Sequence, residues 1–314
     1  MIEVKNLTKK FGRFTALDDV TCTIADNCIY GMVGSNGAGK STLLRILSGV
    51  YRPDGGGAFI DGQPIWENPA AKARIAYVPD ELYYFSGASM KRMADMYAVL
   101  YPRFNKDKFS RMAADLGLDT KKSLNTFSKG MRRQALTILA LATEPDYIYF
   151  DETFDGLDPV VRNYIKRLIV EEMNERGATA IITSHSLREL EDTCDQLALL
   201  HKGGLVLESE IGKVKTSRFK VQVGFTHDFG REDFEGMDIT LFSKSGSVAN
   251  MIISGDRDET IARLQAMDPV ILDVLPLSLE EVFTYEMQAL GYTFDISKEE
   301  LPFAYGTPSE GGER

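Results

Sequence analysis

Residues Gly34-Ser35-Asn36-Gly37-Ala38-Gly39-Lys40-Ser41-Thr42 constrain this chain more than any other stretch. They satisfy G-x-x-x-x-G-K-S/T between an apolar run, Ile29 to Val33, and an amphipathic one, Lys40 to Leu47. A strand, a Gly-rich turn and a helix in that order make backbone N–H groups converge on one spot, and the helix N-terminus adds roughly half a positive charge there. Phosphate is the group such a spot binds. Lys40 is placed to reach the β and γ phosphates, and the Ser41 hydroxyl to ligate Mg²⁺. The bland alternative is a Gly-rich turn with a helix-capping Ser; at average Gly usage the pattern arises by chance in roughly one chain per hundred of this length.

A second run answers the first. Tyr147-Ile148-Tyr149-Phe150-Asp151-Glu152 reads as an apolar strand ending in two acids, and the end of a buried parallel strand is where a second Mg²⁺ contact is needed. Asp151 is the acid expected on the metal side. Glu152, one residue on and facing the other way, is expected to polarise a water for in-line attack on the γ-phosphate. By itself an Asp-Glu pair after a strand is more often a solvated strand end; after a phosphate loop the functional reading is the better one.

The rest of the chain bounds the setting. It has 314 residues, 44% hydrophobic and 26% charged, which is ordinary for a folded chain long enough for two domains. A net charge of −10 argues against the basic footprint that nucleic acid requires. The longest apolar runs, Leu136 to Ala142 and Val270 to Leu277, fall short of the roughly 18 residues a membrane span needs. The start, Met1-Ile2-Glu3-Val4-Lys5, lacks the character of a secretory signal, which sets the expected location in the cytoplasm. Cys22, Cys28 and Cys194 stand at no metal-ligand spacing and read as core filler. Up to about Glu210, short β-rich runs alternate with helical patterns, as in an α/β sheet, with Ile2 to Val4 and Ala16 to Ile24 as antiparallel strands. Residues 211–290 read as a small α+β unit with a helix over Leu279 to Leu290, and 291–314 as an acidic, partly disordered tail. Lys129, Arg132 and Arg133 lie at a helix start, and a solvated face is an equally good account of Arg132 and Arg133.

Over about Met1 to Glu210 the chain resembles the ATP-binding subunit of an ABC transporter. Besides the phosphate loop and the acidic strand, Phe127-Ser128-Lys129-Gly130-Met131 stands at the family's signature sequence. Gly156-Leu157-Asp158 resembles the loop after the catalytic acid, Thr183-Ser184-His185 the switch histidine, and Phe11 the aromatic that stacks on adenine. Two departures stand out. Lys129 and Met131 replace the usual third and fifth signature residues, and Asp80, in Tyr77-Val78-Pro79-Asp80, replaces the metal-contacting glutamine.

The resemblance implies an α/β P-loop NTPase with a mixed sheet core, an antiparallel β part and a helical part. It also implies ATP and Mg²⁺ as ligands, with Ser41, Asp80 and Asp151 on the metal, and Glu152 and His185 acting on the γ-phosphate. Two such subunits, identical or not, would pair head to tail. Each ATP would then lie between the phosphate loop of one subunit and Ser128 and Gly130 of the other, next to Asp158. A separately encoded polytopic permease would hold the pair at the inner face of the membrane. Some of the aromatics after Asp80, among Tyr83, Tyr84, Phe85, Tyr97, Tyr101 and Phe104, are expected to form the groove that receives a helix of it, the alternative being that they fill the core of the helical part. Leu277-Ser278-Leu279-Glu280-Glu281-Val282-Phe283 resembles the C-terminal extension of ABC-2 exporters. The rival reading is a non-transport member acting in translation, in DNA repair or as a nucleotide-dependent regulator.

Overall fold

The chain opens on a long antiparallel pair, β1 (Ile2–Phe11) and β2 (Phe14–Ile24). Ile2, Val4 and Leu7 point inward; the register slips after Val4, where Asn6 takes a φ of 47°, and inward alternation resumes at Leu7. The pair is longer than its two apolar runs suggest, because Lys9-Lys10-Phe11-Gly12 continues the ladder to a tight turn at Gly12 (φ 61°). β4 (Gly55–Ile60) and β5 (Gln63–Pro64) complete a four-stranded sheet in the order β2-β1-β4-β5. This is a computed structural model; it describes residues 1–154, 157–211, 218–275, 277, 278, 280 and 281. It divides into two units after Glu208.

A six-stranded sheet forms the second layer of the first unit. Its strands are β3 (Ile29–Val33), β6 (Ile75–Val78), β7 (Tyr147–Asp151), β8 (Thr179–Ser184), β9 (Gln196–His201) and β10 (Gly204–Glu210), in the order β10-β9-β3-β8-β7-β6. Pairs β3/β8, β3/β9, β6/β7 and β7/β8 are all parallel. β3, β7 and β8 are buried at every residue, which is why they read as continuous apolar runs rather than alternating ones. Helix α1 (Lys40–Leu47) packs Leu43, Leu44, Ile46 and Leu47 into a core shared with residues of both sheets. Register does the positioning: Val33 is paired with Ser184 and Asp151 with Thr183, so the carboxyl ends of β3, β7 and β8 finish level.

Between β6 and β7 lies a helical part: α2 (Pro69–Lys72) precedes β6, and α3 (Met90–Leu100), α4 (Lys106–Asp115) and α5 (Lys129–Leu141) follow it. After β7 come α6 (Pro159–Arg176) and, past β8, α7 (Leu187–Glu191). The aromatics after Asp80 divide here. Tyr83 and Phe85 are largely exposed, whereas Tyr97 packs against Tyr101 and Phe104 at ring separations of 5.5 and 6.4 Å, and Phe104 in turn meets buried Phe109.

The second unit is an antiparallel sheet in the order β12-β13-β11-β14, from β11 (Arg218–Gly224), β12 (Asp238–Ser245), β13 (Val248–Ser254) and β14 (Ile271–Leu275). Helix α8 (Arg257–Gln265) closes it with Leu264, over a core rich in phenylalanine: Phe219, Phe225, Phe229 and Phe234. Ser278 and Glu281 form a reciprocal capping box, and Lys220 reaches the same carboxylate at 2.6 Å. Most of the helix expected over Leu279 to Leu290, and the tail from 291 to 314, lie outside the described residues.

Candidate functional site

The phosphate loop leaves β3 in the middle of the parallel sheet and runs directly into α1. Gly39 is the N-cap of α1 at φ 108°, a conformation a side chain strains to adopt, and a Cβ there would lie 2.7 Å from the Ala16 carbonyl oxygen. No side chain caps α1, whereas α2, α3, α4, α5 and α6 are capped by Asn68, Ser89, Asn105, Ser128 and Asp158. The first-turn N–H groups of α1, in residues Lys40, Ser41 and Thr42, are therefore available to an anion. Gly37 (φ 80°) has no atom within 4 Å of where its Cβ would stand, and Ser35, Asn36 and Gly37 are exposed, whereas Ala38 is buried.

Lys40 is 3% exposed, and its ammonium is held by the Gly34 carbonyl at 2.6 Å, the Ser35 carbonyl at 3.2 Å and Glu152 Oε1 at 3.2 Å. A buried cation with a carboxylate partner at the open end of a loop fits a triphosphate, whose oxygens can replace the carboxylate. Asp151, fully buried, accepts from Ser41 Oγ at 3.0 Å, Thr183 Oγ1 at 2.9 Å and Tyr77 OH at 3.0 Å. A hydroxyl and a carboxylate in contact supply the hard oxygen donors that Mg²⁺ takes. Burial, and then the neighbouring Asp151 charge, push the Tyr77 phenol well above its ordinary value, so it stays a donor.

Glu152 adopts φ 46°, a left-handed backbone that costs a non-glycine residue about 1–3 kcal/mol unless its surroundings hold it there. Two groups do so. Its N–H donates to Thr183 Oγ1 at 3.0 Å, and its carbonyl accepts from Arg133 Nη1 at 2.7 Å. The turn points the carboxylate back toward Lys40 rather than along the strand.

The remaining expected residues stand on other elements, with contacts of their own. His185 is exposed directly after β8, at the level of the phosphate loop. Ser128 is exposed and caps α5 through the Met131 N–H at 3.2 Å, with Gly130 in the first turn. Asp158 caps α6, its Oδ1 accepting from Val160 and Val161 at 3.0 Å each; Gly156 lies outside the described residues. Phe11, 45% exposed, stands edge-on to Tyr51 at 5.5 Å with the Lys9 ammonium 5.3 Å above its ring. Asp80 does not join Ser41 and Asp151 in this arrangement: its Oδ1 is bonded to Arg133. Arg133 is 1% exposed, which corrects the solvated-face reading, and with Tyr77 and Thr183 it is a site residue that motif reading passed over. Tyr77 is the one partly buried residue of an otherwise buried apolar strand, and no spacing in the sequence singles it out.

A phosphate loop feeding a helix beneath a parallel sheet, with a buried acid on the neighbouring strand bonded to the loop's hydroxyl, defines a P-loop nucleoside triphosphatase. A family model described as ABC transporter matches residues 17–155. The chain is 29% identical over 283 residues to the ABC transporter ATP-binding protein YtrB of Bacillus subtilis, across 90% of this chain and 97% of that one. It is 31% identical over 212 residues to the linearmycin resistance ATP-binding protein LnrL of the same organism, across 66% of this chain and 68% of that one. A solved dimeric ATP-binding cassette in a post-hydrolysis state, bound to ADP and Pi, matches with a TM-score of 0.60 at 21% identity, over 67% of this chain and 99% of that one. The chain belongs to the ATP-binding proteins of ABC transporters, and its activity is ATP hydrolysis coupled to transport. Among the described residues, no helix is long and apolar enough to cross a membrane.

Proposed function

We propose that this subunit powers export through separately encoded membrane subunits, working as a head-to-tail pair on the inner face of the membrane. The observation that carries the catalytic part is the Lys40–Glu152 contact of 3.2 Å, one residue from an Asp151 already bonded to Ser41. In this arrangement Lys40 is neutralised by the residue assigned as base. An incoming triphosphate takes over Lys40, and the Glu152 carboxylate is released to orient and deprotonate the attacking water. Ser41 and Asp151 would hold Mg²⁺, which would neutralise charge on the phosphate oxygens. His185 donates a hydrogen bond to the charge that develops there. Ser128 and Gly130 act on the nucleotide of the partner subunit, and Phe11 takes the adenine.

Export is supported by the C-terminal unit with its Leu277-Ser278 to Glu280-Glu281 segment, and by the resistance function named for LnrL. The exposed Tyr83, Phe85, Val99 and Leu100 support a permease seat beside α3. The testing experiment is Glu152→Gln. It removes the base and the competitor for Lys40 together, so turnover falls to background while ATP binds roughly fivefold tighter, the equivalent of about 1 kcal/mol. Parental turnover, or weaker ATP binding by titration, rejects the assignment of Glu152. Lys40→Ala is the matching control and loses binding and hydrolysis together.

A further inference from the structure

We propose that Arg133 is a positioning residue for hydrolysis, and that Asp80 serves as its counter-ion, so that the segment entered at Asp80 acts directly on the backbone of Glu152. This rests on Glu152 being the base. Arg133 belongs to α5, the helix capped by Ser128, and its guanidinium reaches both Glu152 and Asp80. Nη1 donates to the Glu152 carbonyl at 2.7 Å, while Nη2 donates to the Asp80 carbonyl at 3.2 Å and to the Asp80 carboxylate. Arginine stays charged in a protein interior and its planar fork fixes two partners at once, which lysine's point charge does not. At 1% exposure that charge needs a counter-charge, and Asp80 supplies it from a half-exposed position at the rim.

The neighbouring arginine strengthens the link. Arg132 Nη1 donates to Tyr84 OH at 3.0 Å, so two consecutive residues of α5 hold one short segment, residues 80–84. Exposed Tyr83 and Phe85 lie in and next to that segment. Glu152 at φ 46° is sensitive to such a hold, because its carboxylate direction follows from a backbone state that the Arg133 and Thr183 contacts help to maintain. Displacing Asp80 therefore turns the base away from its water without touching the phosphate loop. Aspartate at this position is thus a charge partner for arginine, not a shortened metal ligand.

The experiment compares Asp80→Asn, Arg133→Lys and the double variant, with Glu152→Gln alongside. Turnover number is expected to fall roughly 10- to 100-fold in Arg133→Lys and in the same direction in Asp80→Asn, the cost of misplacing a reacting group by about an ångström. ATP affinity by titration stays within about twofold, since neither residue touches Lys40 or the loop. The double variant is no slower than Arg133→Lys, because both changes break one link. The Mg²⁺ concentration for half-maximal rate is unmoved. Amide hydrogen exchange in residues 147–152 quickens in Asp80→Asn, a readout independent of activity. Additive losses, or a several-fold shift in the Mg²⁺ midpoint in Asp80→Asn with unchanged exchange, overturn the proposal and return Asp80 to the metal. Should Arg133→Lys fail to fold, Asp80→Asn at its half-exposed site decides by the Mg²⁺ and exchange readouts. Residual parental turnover in Glu152→Gln would instead overturn the assignment of the base, whatever the other variants do.

Discussion

The hydroxyl of Thr183 joins Asp151, the last residue of β7, to Glu152, the residue after it. It accepts from the Glu152 N–H and donates to Asp151 Oδ1, and it is buried together with Asp151. Thr183→Val keeps the shape and removes both bonds, leaving a backbone N–H in a strained conformation without its acceptor. The expected loss is about 1–3 kcal/mol of unfolding free energy in a denaturant titration, together with a fall in turnover, while Thr183→Ser recovers most of each. A Val variant as stable and as active as the parent would remove Thr183 from the site. Lys40, Ser41, Asp151 and Glu152 could be found in the sequence because the chemistry of phosphate and metal fixes residue type and spacing within a few positions. Thr183, Tyr77 and Arg133 could not, since each acquires its partner from another strand or helix. Arg133 lies 19 residues from Glu152 and 53 from Asp80, and nothing in a run of basic residues at a helix start distinguishes a buried fork from a solvated one.

Among the elements, α6 makes the clearest test of a local rule. Asp158 at its N-cap accepts two N–H bonds and Pro159 follows at the first helical position, the strongest start that sequence can write. Asp158→Ala is expected to cost about 1 kcal/mol, read as a lower denaturation midpoint with or without nucleotide. A variant that melts like the parent and differs only in ATP turnover would show that the carboxylate serves the nucleotide rather than the helix. The same local logic explains which elements were legible. β3 and α1 carry a change of apolar period at a Gly-rich turn, and their observed bounds coincide with the two runs. β1 and β2 were under-read because their outer halves carry lysines and an exposed Phe14, residues held in the ladder by backbone bonds rather than burial. The aromatics after Asp80 show the opposite limit: one composition covers an exposed pair, Tyr83 and Phe85, and a partly buried cluster in which Tyr97 packs against Tyr101 and Phe104.

At the scale of the whole molecule, the arrangement of Ser128 decides whether one chain suffices. Its hydroxyl caps α5 and it is exposed, while the phosphate loop opens at the carboxyl end of the parallel sheet. If each ATP is completed by the partner's Ser128 and Gly130, then damage to the loop and damage to the signature lie on opposite halves of a shared site. Lys40→Ala empties the site on its own chain; Ser128→Arg blocks the site on its partner and also loses an N-cap of about 1 kcal/mol, so its folding is checked first by nucleotide titration. Each variant by itself is expected to be inactive. In a mixed pair, one site combines both defects and the other has neither, so equal mixing with random exchange restores about a quarter of the parental sites. Steady-state hydrolysis across a series of mixing ratios should therefore pass through a maximum near equal amounts and vanish at both ends. Activity that stays at background at every ratio, with both variants folded and the Ser128→Arg protein still binding ATP, would mean that Ser128 does not act across a head-to-tail interface.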